Sequence, residues 1–239
     1  MEYDHAFRVK RIWKNIDNAS ADQLIDSMQY DELGQLKAKY LGNAVDSIIY
    51  DYNIRGWMTG INKSYVAGTA SHYFGMELSY DKTTSSAAGN TYLSAQYNGN
   101  IGGTVWKSAG AGINRKYDFT YDNVNRLTGA AFLQNTTGTA WDKTQLDFTA
   151  NNLAYDANGN IITMTQYGFT VGGSSIIDQL SYTYQTNSNK LLQVNDAANN
   201  PATPLGDFHY SGSKGSYDYS YDGNGNMKTD ANKAIDNIN

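Results

Sequence analysis

Tyr155-Asp156-Ala157-Asn158-Gly159-Asn160-Ile161 is the stretch that decides how the rest of the chain is read. Tyrosine sits well on a pleated strand, and an aspartate can bond forward to the amides of a turn. Gly or Asn accepts positive φ, and the isoleucine six positions after the tyrosine restarts a strand. These seven residues predict a β-hairpin. Beyond the turn, Ile161, Thr163 and Thr165 alternate with Ile162, Met164 and Gln166, which separates two faces of a sheet. Asn158-Gly159 is the dipeptide that most strongly signals a tight hairpin, and it recurs as Asn224-Gly225 and Asn98-Gly99.

The same pattern returns along the chain. Close copies are Tyr30-Asp31-Glu32-Leu33-Gly34-Gln35-Leu36, Tyr52-Asn53-Ile54-Arg55-Gly56-Trp57-Met58 and Tyr221-Asp222-Gly223-Asn224-Gly225-Asn226-Met227. Looser copies are Tyr3-Asp4 with Phe7 where the glycine belongs, Tyr121-Asp122 with Asn125 there, Tyr97 shortened by two and Tyr184 lengthened by one. Tyr80-Asp81 begins a copy that does not finish. Tyrosine-to-tyrosine spacing runs from 17 residues (Tyr80 to Tyr97) to 37 (Tyr184 to Tyr221), so this is no strict solenoid. The variation falls in polar linkers at 83–91, 102–112 and 195–216. At 21–33 a helix competes, because Ser20 and Gln23 have capping-box spacing. Leu24, Met28 and Tyr30 also fit a strand face leading into a repeat, and strand is the expectation.

Composition supports an all-β chain of repeated antiparallel hairpins: of 239 residues, 20 are Tyr, 23 Gly and 26 Asn, against two Pro and three Glu. With 17% charged and 40% hydrophobic residues the chain lacks the signature of disorder. A net charge of −5, with basic residues dispersed apart from Arg8, Lys10, Arg11 and Lys14, is a poor profile for nucleic-acid binding. The absence of cysteine removes disulfides, zinc ribbons and thiol catalysis together. No apolar run approaches the length of a membrane span, and the polar N-terminus has no signal-peptide core. No composition shift marks a boundary, so residues 1–239 read as one segment, cut from a longer repeat protein. Its open strand edges predict self-association.

Repeated along nearly the whole chain, Tyr-Asp-x-x-Gly-Asn-Ile/Met resembles the YD repeats of bacterial RHS proteins, of the shell components of insecticidal Tc toxin complexes, and of teneurins. Tyr50-Asp-Tyr-Asn-Ile-Arg-Gly-Trp57, Phe74-Gly-Met-Glu-Leu78, Tyr97-Asn-Gly-Asn-Ile101 and Tyr121-Asp-Asn-Val-Asn-Arg-Leu127 are similar in particular to RHS proteins of Bacteroidetes-type bacteria. The resemblance implies hairpins paired edge to edge in a ribbon that spirals into a shell around a C-terminal, often toxic, polypeptide. It also implies secretion or display at the cell surface. This chain is long enough for part of a wall, with neighbouring repeats as its partners. Pro201-Ala-Thr-Pro204-Leu-Gly-Asp207 does not reproduce the family's Pro-rich self-cleavage segment, so cleavage is not carried over.

No constellation for catalysis stands out. Histidine occurs only at His5, His72 and His209, and no Gly-x-Ser-x-Gly or His-Glu-x-x-His motif is present. Gly110-Ala-Gly112 and Gly223-Asn-Gly225 lack the third glycine of a dinucleotide loop. The alternation Asp156-Ala-Asn158-Gly-Asn160, and its counterpart from Asp222, starts like an EF-hand loop. It then puts glycine at position four and Tyr167 or Lys233 where the bidentate glutamate belongs. Asp31, Asp122, Asp156 and Asp222 are repeated rather than paired, which suits turns and not glycoside cleavage. The expectation is a non-enzymatic scaffold without metal or cofactor, whose motif residues Tyr30, Asp31, Gly34, Tyr52, Asn53, Gly56, Tyr121, Asp122, Tyr155, Asp156, Gly159, Asn160, Tyr221, Asp222, Gly225 and Asn226 are structural. The alternative is a carbohydrate- or surface-ligand-binding module, with the off-motif Trp106 and Trp141 as stacking residues. Exposed off-motif aromatics grouped in one groove favour that alternative; aromatics buried between hairpins favour the scaffold.

Overall fold

The computed structural model describes residues 1–15, 17, 21–42, 44–138, 140–200, 207–210 and 214–238. Ser20, Pro201 and Pro204, which carried readings above, lie outside these described residues. The strands are β1 (Glu2–Tyr3), β2 (Val9–Lys14), β3 (Gln23–Tyr30), β4 (Leu36–Leu41), β5 (Asp46–Tyr52), β6 (Met58–Ile61), β7 (Phe74–Ser79) and β8 (Gly103–Ser108). They continue as β9 (Asn114–Tyr121), β10 (Leu127–Asn135), β11 (Ala150–Tyr155), β12 (Ile161–Thr170), β13 (Gly173–Tyr184), β14 (Leu191–Asp196), β15 (Tyr219–Tyr221) and β16 (Met227–Asp230). Strands β1 to β14 are hydrogen-bonded in chain order as one antiparallel sheet of consecutive hairpins, and β15 pairs with β16. The fold is all-β, as the repeat predicts. Within 21–33 the competing helix does not form: Gln23–Tyr30 is strand. The α-helix found among the described residues is the short α1 (Lys63–Val66) between β6 and β7, a helix the sequence reading did not anticipate.

Two compact units divide the chain, Met1–Tyr117 with Gln134–Asp142, and Asp118–Leu133 with Lys143–Asn239. In the first, Val66, Ala87, Tyr92 and Val105 form a buried cluster with Trp141 packed against it. The second buries Ala130, Phe132, Ile177, Leu180 and Val194, with Phe132 edge-on to Phe148 at 5.3 Å. Burying this apolar surface drives folding of each unit.

The turns repeat almost atom for atom. In the copies led by Asp4, Asp31, Asn53, Asp122, Asp156 and Asp222, the side-chain Oδ1 accepts from the backbone amides two and four residues ahead, at 2.8–3.0 Å. The residue's own amide donates to the carbonyl four residues on at 2.9 Å, and its carbonyl accepts from the amide three residues on at 2.9–3.1 Å. The residue that donates this last bond has positive φ: Phe7 (59°), Gly34 (84°), Gly56 (77°), Asn125 (67°), Gly159 (88°) and Gly225 (90°). This is the three-residue hairpin loop that closes on a left-handed residue. Asn158 and Asn224 stay out of the left-handed region. Their Asn-Gly pairs therefore mark hairpins, but not the two-residue turn with both central residues at positive φ. Tyrosine and the apolar residue six positions on face each other across the strands in the pairs Tyr3↔Val9, Tyr30↔Leu36, Tyr52↔Met58, Tyr155↔Ile161 and Tyr221↔Met227. The lengthened copy closes with Asn187 at φ 57° and pairs Tyr184 with Leu191. The Tyr97 copy departs from expectation: two residues short of a full turn, it makes a bend with no flanking strand pair.

Phe7 is strained and, at 88% exposed, gains little from packing. Phe7→Gly is expected to stabilise the first hairpin by about 1 kcal/mol, and Gly159→Ala to destabilise its own by a similar amount. Chemical unfolding of the two variants beside the parent checks both signs.

Candidate functional site

Motif tyrosines do more than pack. The hydroxyls of Tyr30, Tyr52, Tyr80, Tyr155, Tyr184 and Tyr221 donate to the carbonyls of Val9, Leu36, Met58, Leu127, Ile161 and Leu191, at 2.6–3.1 Å. Each acceptor is the strand-restarting apolar residue of the preceding copy. Tyr80 makes this bond although its own copy does not finish. Burial pushes the hydroxyls of Tyr52, Tyr80 and Tyr184 up, so they remain protonated donors.

The second carboxylate oxygen of Asp4, Asp122, Asp156 and Asp222 is used as well. Arg8 Nε donates to Asp4 Oδ2 and Arg126 Nε to Asp122 Oδ2, both at 2.7 Å; Asn160 and Asn226 play the same part for Asp156 and Asp222 at 2.8 and 2.9 Å. The cation at this position also reaches forward to the next copy: Arg8 lies 4.3 Å from the Tyr30 ring centroid and Arg126 4.7 Å from that of Tyr155. Adjacent turns touch through Gln35 Nε2 to the Gly56 carbonyl, Arg126 to the Asp156 carbonyl, and Asn158 and Asn160 to Asn189. Amide bonds from Arg8 and Arg126 chiefly hold the Asp4 and Asp122 carboxyls below the ordinary aspartate range; side-chain bonds from Asn160 and Asn226 do so for Asp156 and Asp222. Both oxygens of Asp156 and Asp222 thus take part in bonds of their own turn.

Trp106 and Trp141 are not brought together. Val105 points into the buried cluster that Trp141 covers, so its neighbour Trp106 faces the other side of β8 and stacks on Tyr117 at 5.6 Å. Trp141 is half-buried, donating Nε1 to the Ala88 carbonyl at 3.1 Å. A groove of about 430 Å³ lies instead in the second unit, lined by Gln185, Lys190, Leu192, Tyr217, Tyr219 and Tyr221. Tyr217 is 65% exposed, and Lys190 Nζ sits 5.5 Å from the Tyr221 ring centroid.

Sequence reasoning missed a set of buried acids and amides within and beside the strands. Asp196, 1% exposed, accepts from the amides of Gln179 and Ala198 on Oδ1 and of Asn199 on Oδ2. Asp218 accepts from the Val194 amide and from Lys214, and Asn62 from the Ile49 amide while donating to the Phe74 carbonyl. Glu77 accepts from the Ser86 amide and hydroxyl and from Tyr92. Burial alone would push Glu77 up; bonds from Ser85, Ser86 and Tyr92 outweigh it and hold the carboxyl low. Burial also pushes Asp178 up, reinforced by Asp196 and Asp207. The available signal was alternation: Leu192, Val194 and Asp196 continue one strand face into an acid.

No protein-family model matches the chain, and no curated protein matches it in sequence. Among the described residues, no helix is long and apolar enough to cross a membrane.

A carboxyl held low stabilises the fold above its unfolded value, near 3.9 for aspartate, and that contribution disappears as the pH falls through the folded value. Asp156→Asn retains the Oδ1 acceptor, as Asn53 does naturally, but loses the charge. The variant is expected to be less stable than the parent at neutral pH, with the gap closing below about pH 3.9. Urea midpoints measured across that range check the sign.

Proposed function

We propose that the chain is a non-catalytic segment of an RHS/YD-repeat scaffold, secreted or displayed at the cell surface, where it builds part of a β wall that encloses or presents a C-terminal polypeptide. The observation that carries this reading is the tyrosine latch. Six tyrosine hydroxyls tie copies to their predecessors, so the repeat residues are spent on joining hairpins. Limited proteolysis of the full reading frame carrying this segment tests it. The downstream polypeptide is expected to resist protease, and the double variant Tyr155→Phe/Tyr184→Phe to expose it. Equal cleavage in parent and variant, with the downstream part never protected, argues against the wall.

The tyrosine groove favours a second reading, a saccharide-binding surface. Tyr217 and Tyr219 are off-motif aromatics grouped in one groove with an amide and an ammonium, the combination of ring face and polar groups that a pyranose needs. On a glycan array, Tyr217→Ala should weaken binding by roughly tenfold, in line with about 1.5 kcal/mol of ring contact. Trp106→Ala should leave binding unchanged. Absence of glycan binding by the parent removes this reading and leaves the scaffold untouched.

A further inference from the structure

We infer that Asn98 is a site of spontaneous deamidation through a succinimide, and that the other two Asn-Gly pairs of the chain are protected from it by their turns. Asparagine is among the thermolabile residues. The reaction needs a following amide nitrogen free to attack the side-chain carbonyl carbon, and a glycine leaves that approach unhindered. At Asn158 and Asn224 the nitrogen is engaged: Gly159 donates to the Asp156 carbonyl and Gly225 to the Asp222 carbonyl, each at 3.1 Å. Asn158 is held further by its Nδ2 bond to Asn189 at 3.1 Å.

The Tyr97 copy lacks the two residues that close this turn. The Gly99 amide makes no hydrogen bond among the described residues. Asn98 is exposed and occupies the aspartate position of its copy, so its Oδ1 accepts from the Asn100 amide at 3.0 Å. That bond polarises the side-chain carbonyl toward attack. Asn158, one residue before the turn glycine, uses its backbone amide for the turn and directs its side chain outward to a neighbour.

In the step itself, Gly99 N forms a bond to Asn98 Cγ, and the bond from Cγ to Nδ2 breaks. Ammonia leaves with the proton given up by the Gly99 amide. Water then opens the five-membered imide at either carbonyl, giving aspartate or isoaspartate, and the chain gains one dalton. The aspartate product places a carboxylate where Asn98 Oδ1 already accepts an amide, turning the copy into a Tyr-Asp pair like those at Tyr30 and Tyr155. The isoaspartate product lengthens the backbone by one methylene beside the Trp57 ring, which lies 3.1 Å from where a Gly99 Cβ would stand.

The test is peptide mapping by mass spectrometry of the whole chain, aged in mildly alkaline buffer, with the three Asn-Gly peptides followed in one sample. Asn98 is expected to convert roughly tenfold faster than Asn158 or Asn224, the factor associated with opening one ordinary turn hydrogen bond. Asp156→Ala, which loosens the neighbouring turn, should bring Asn158 toward the Asn98 rate while leaving Asn98 as it was. Conversion of Asn158 or Asn224 as fast as Asn98 in the parent, or an Asn98 that stays intact while either converts, overturns the inference. An aged sample in which none of the three converts overturns it too.

Discussion

A backbone carbonyl at the start of each outgoing strand needs a partner that the sheet does not supply. The ladder between β12 and β13 begins at Thr163↔Ser181, and that between β2 and β3 at Arg11↔Ser27. Those between β4 and β5, and between β6 and β7, begin at Ala38↔Ile49 and Gly60↔Glu77. In every case the ladder starts two residues inside the strand, and the carbonyls of Ile161, Val9, Leu36 and Met58 lie beyond it. An unpaired, partly buried carbonyl costs free energy comparable to a lost hydrogen bond. The tyrosine at the end of the next hairpin fills the gap, its ring spanning the splayed strands and its hydroxyl reaching the carbonyl. Phenylalanine could fill the space but not the bond, which is a physical reason for tyrosine in this position.

Once that latch is in place, the aspartate turn sets where it falls. Two amides on Oδ1 and a side chain on Oδ2 fix the loop at three residues, so tyrosine and the apolar residue six positions on face each other and the carbonyl stands at a constant height. Arg8 and Arg126 join both devices, gripping the aspartate of one copy and lying on the tyrosine of the next. Turn, latch and cation are parts of one joint between hairpins.

The turn was legible in the sequence because all its parts lie within seven consecutive residues. Tyr155 to Ile161 contains strand end, bracket, left-handed residue and strand restart, and the structure realises each. The latch was not legible, because its two ends sit 16 to 30 residues apart, at Tyr52 and Leu36 or at Tyr221 and Leu191, and only the register brings them together. Asp196 and Asp218 escaped for a related reason. An acid on an inward face reads as a break in the pattern until the amides it caps are known. Trp106 and Trp141 looked alike as off-motif tryptophans, whereas one faces away from the buried cluster and the other covers it, a distinction of strand parity and chain return rather than composition.

The joint also explains how the linkers can vary while the hairpins do not. A loop-closure penalty grows only with the logarithm of loop length, so added linker residues cost little. The latch, by contrast, depends on local register alone. Tyr184 belongs to a copy one residue too long, yet it reaches Ile161, and its own restart residue, Leu191, is displaced by one and still receives Tyr221. Tyr80 has no hairpin of its own and still holds Met58. What the repeat must keep is therefore a tyrosine at a strand end and a carbonyl just past a closed turn. A copy that loses the closed turn, as at Tyr97, gives up the strand pair and leaves the Gly99 amide outside the bonding that protects the others.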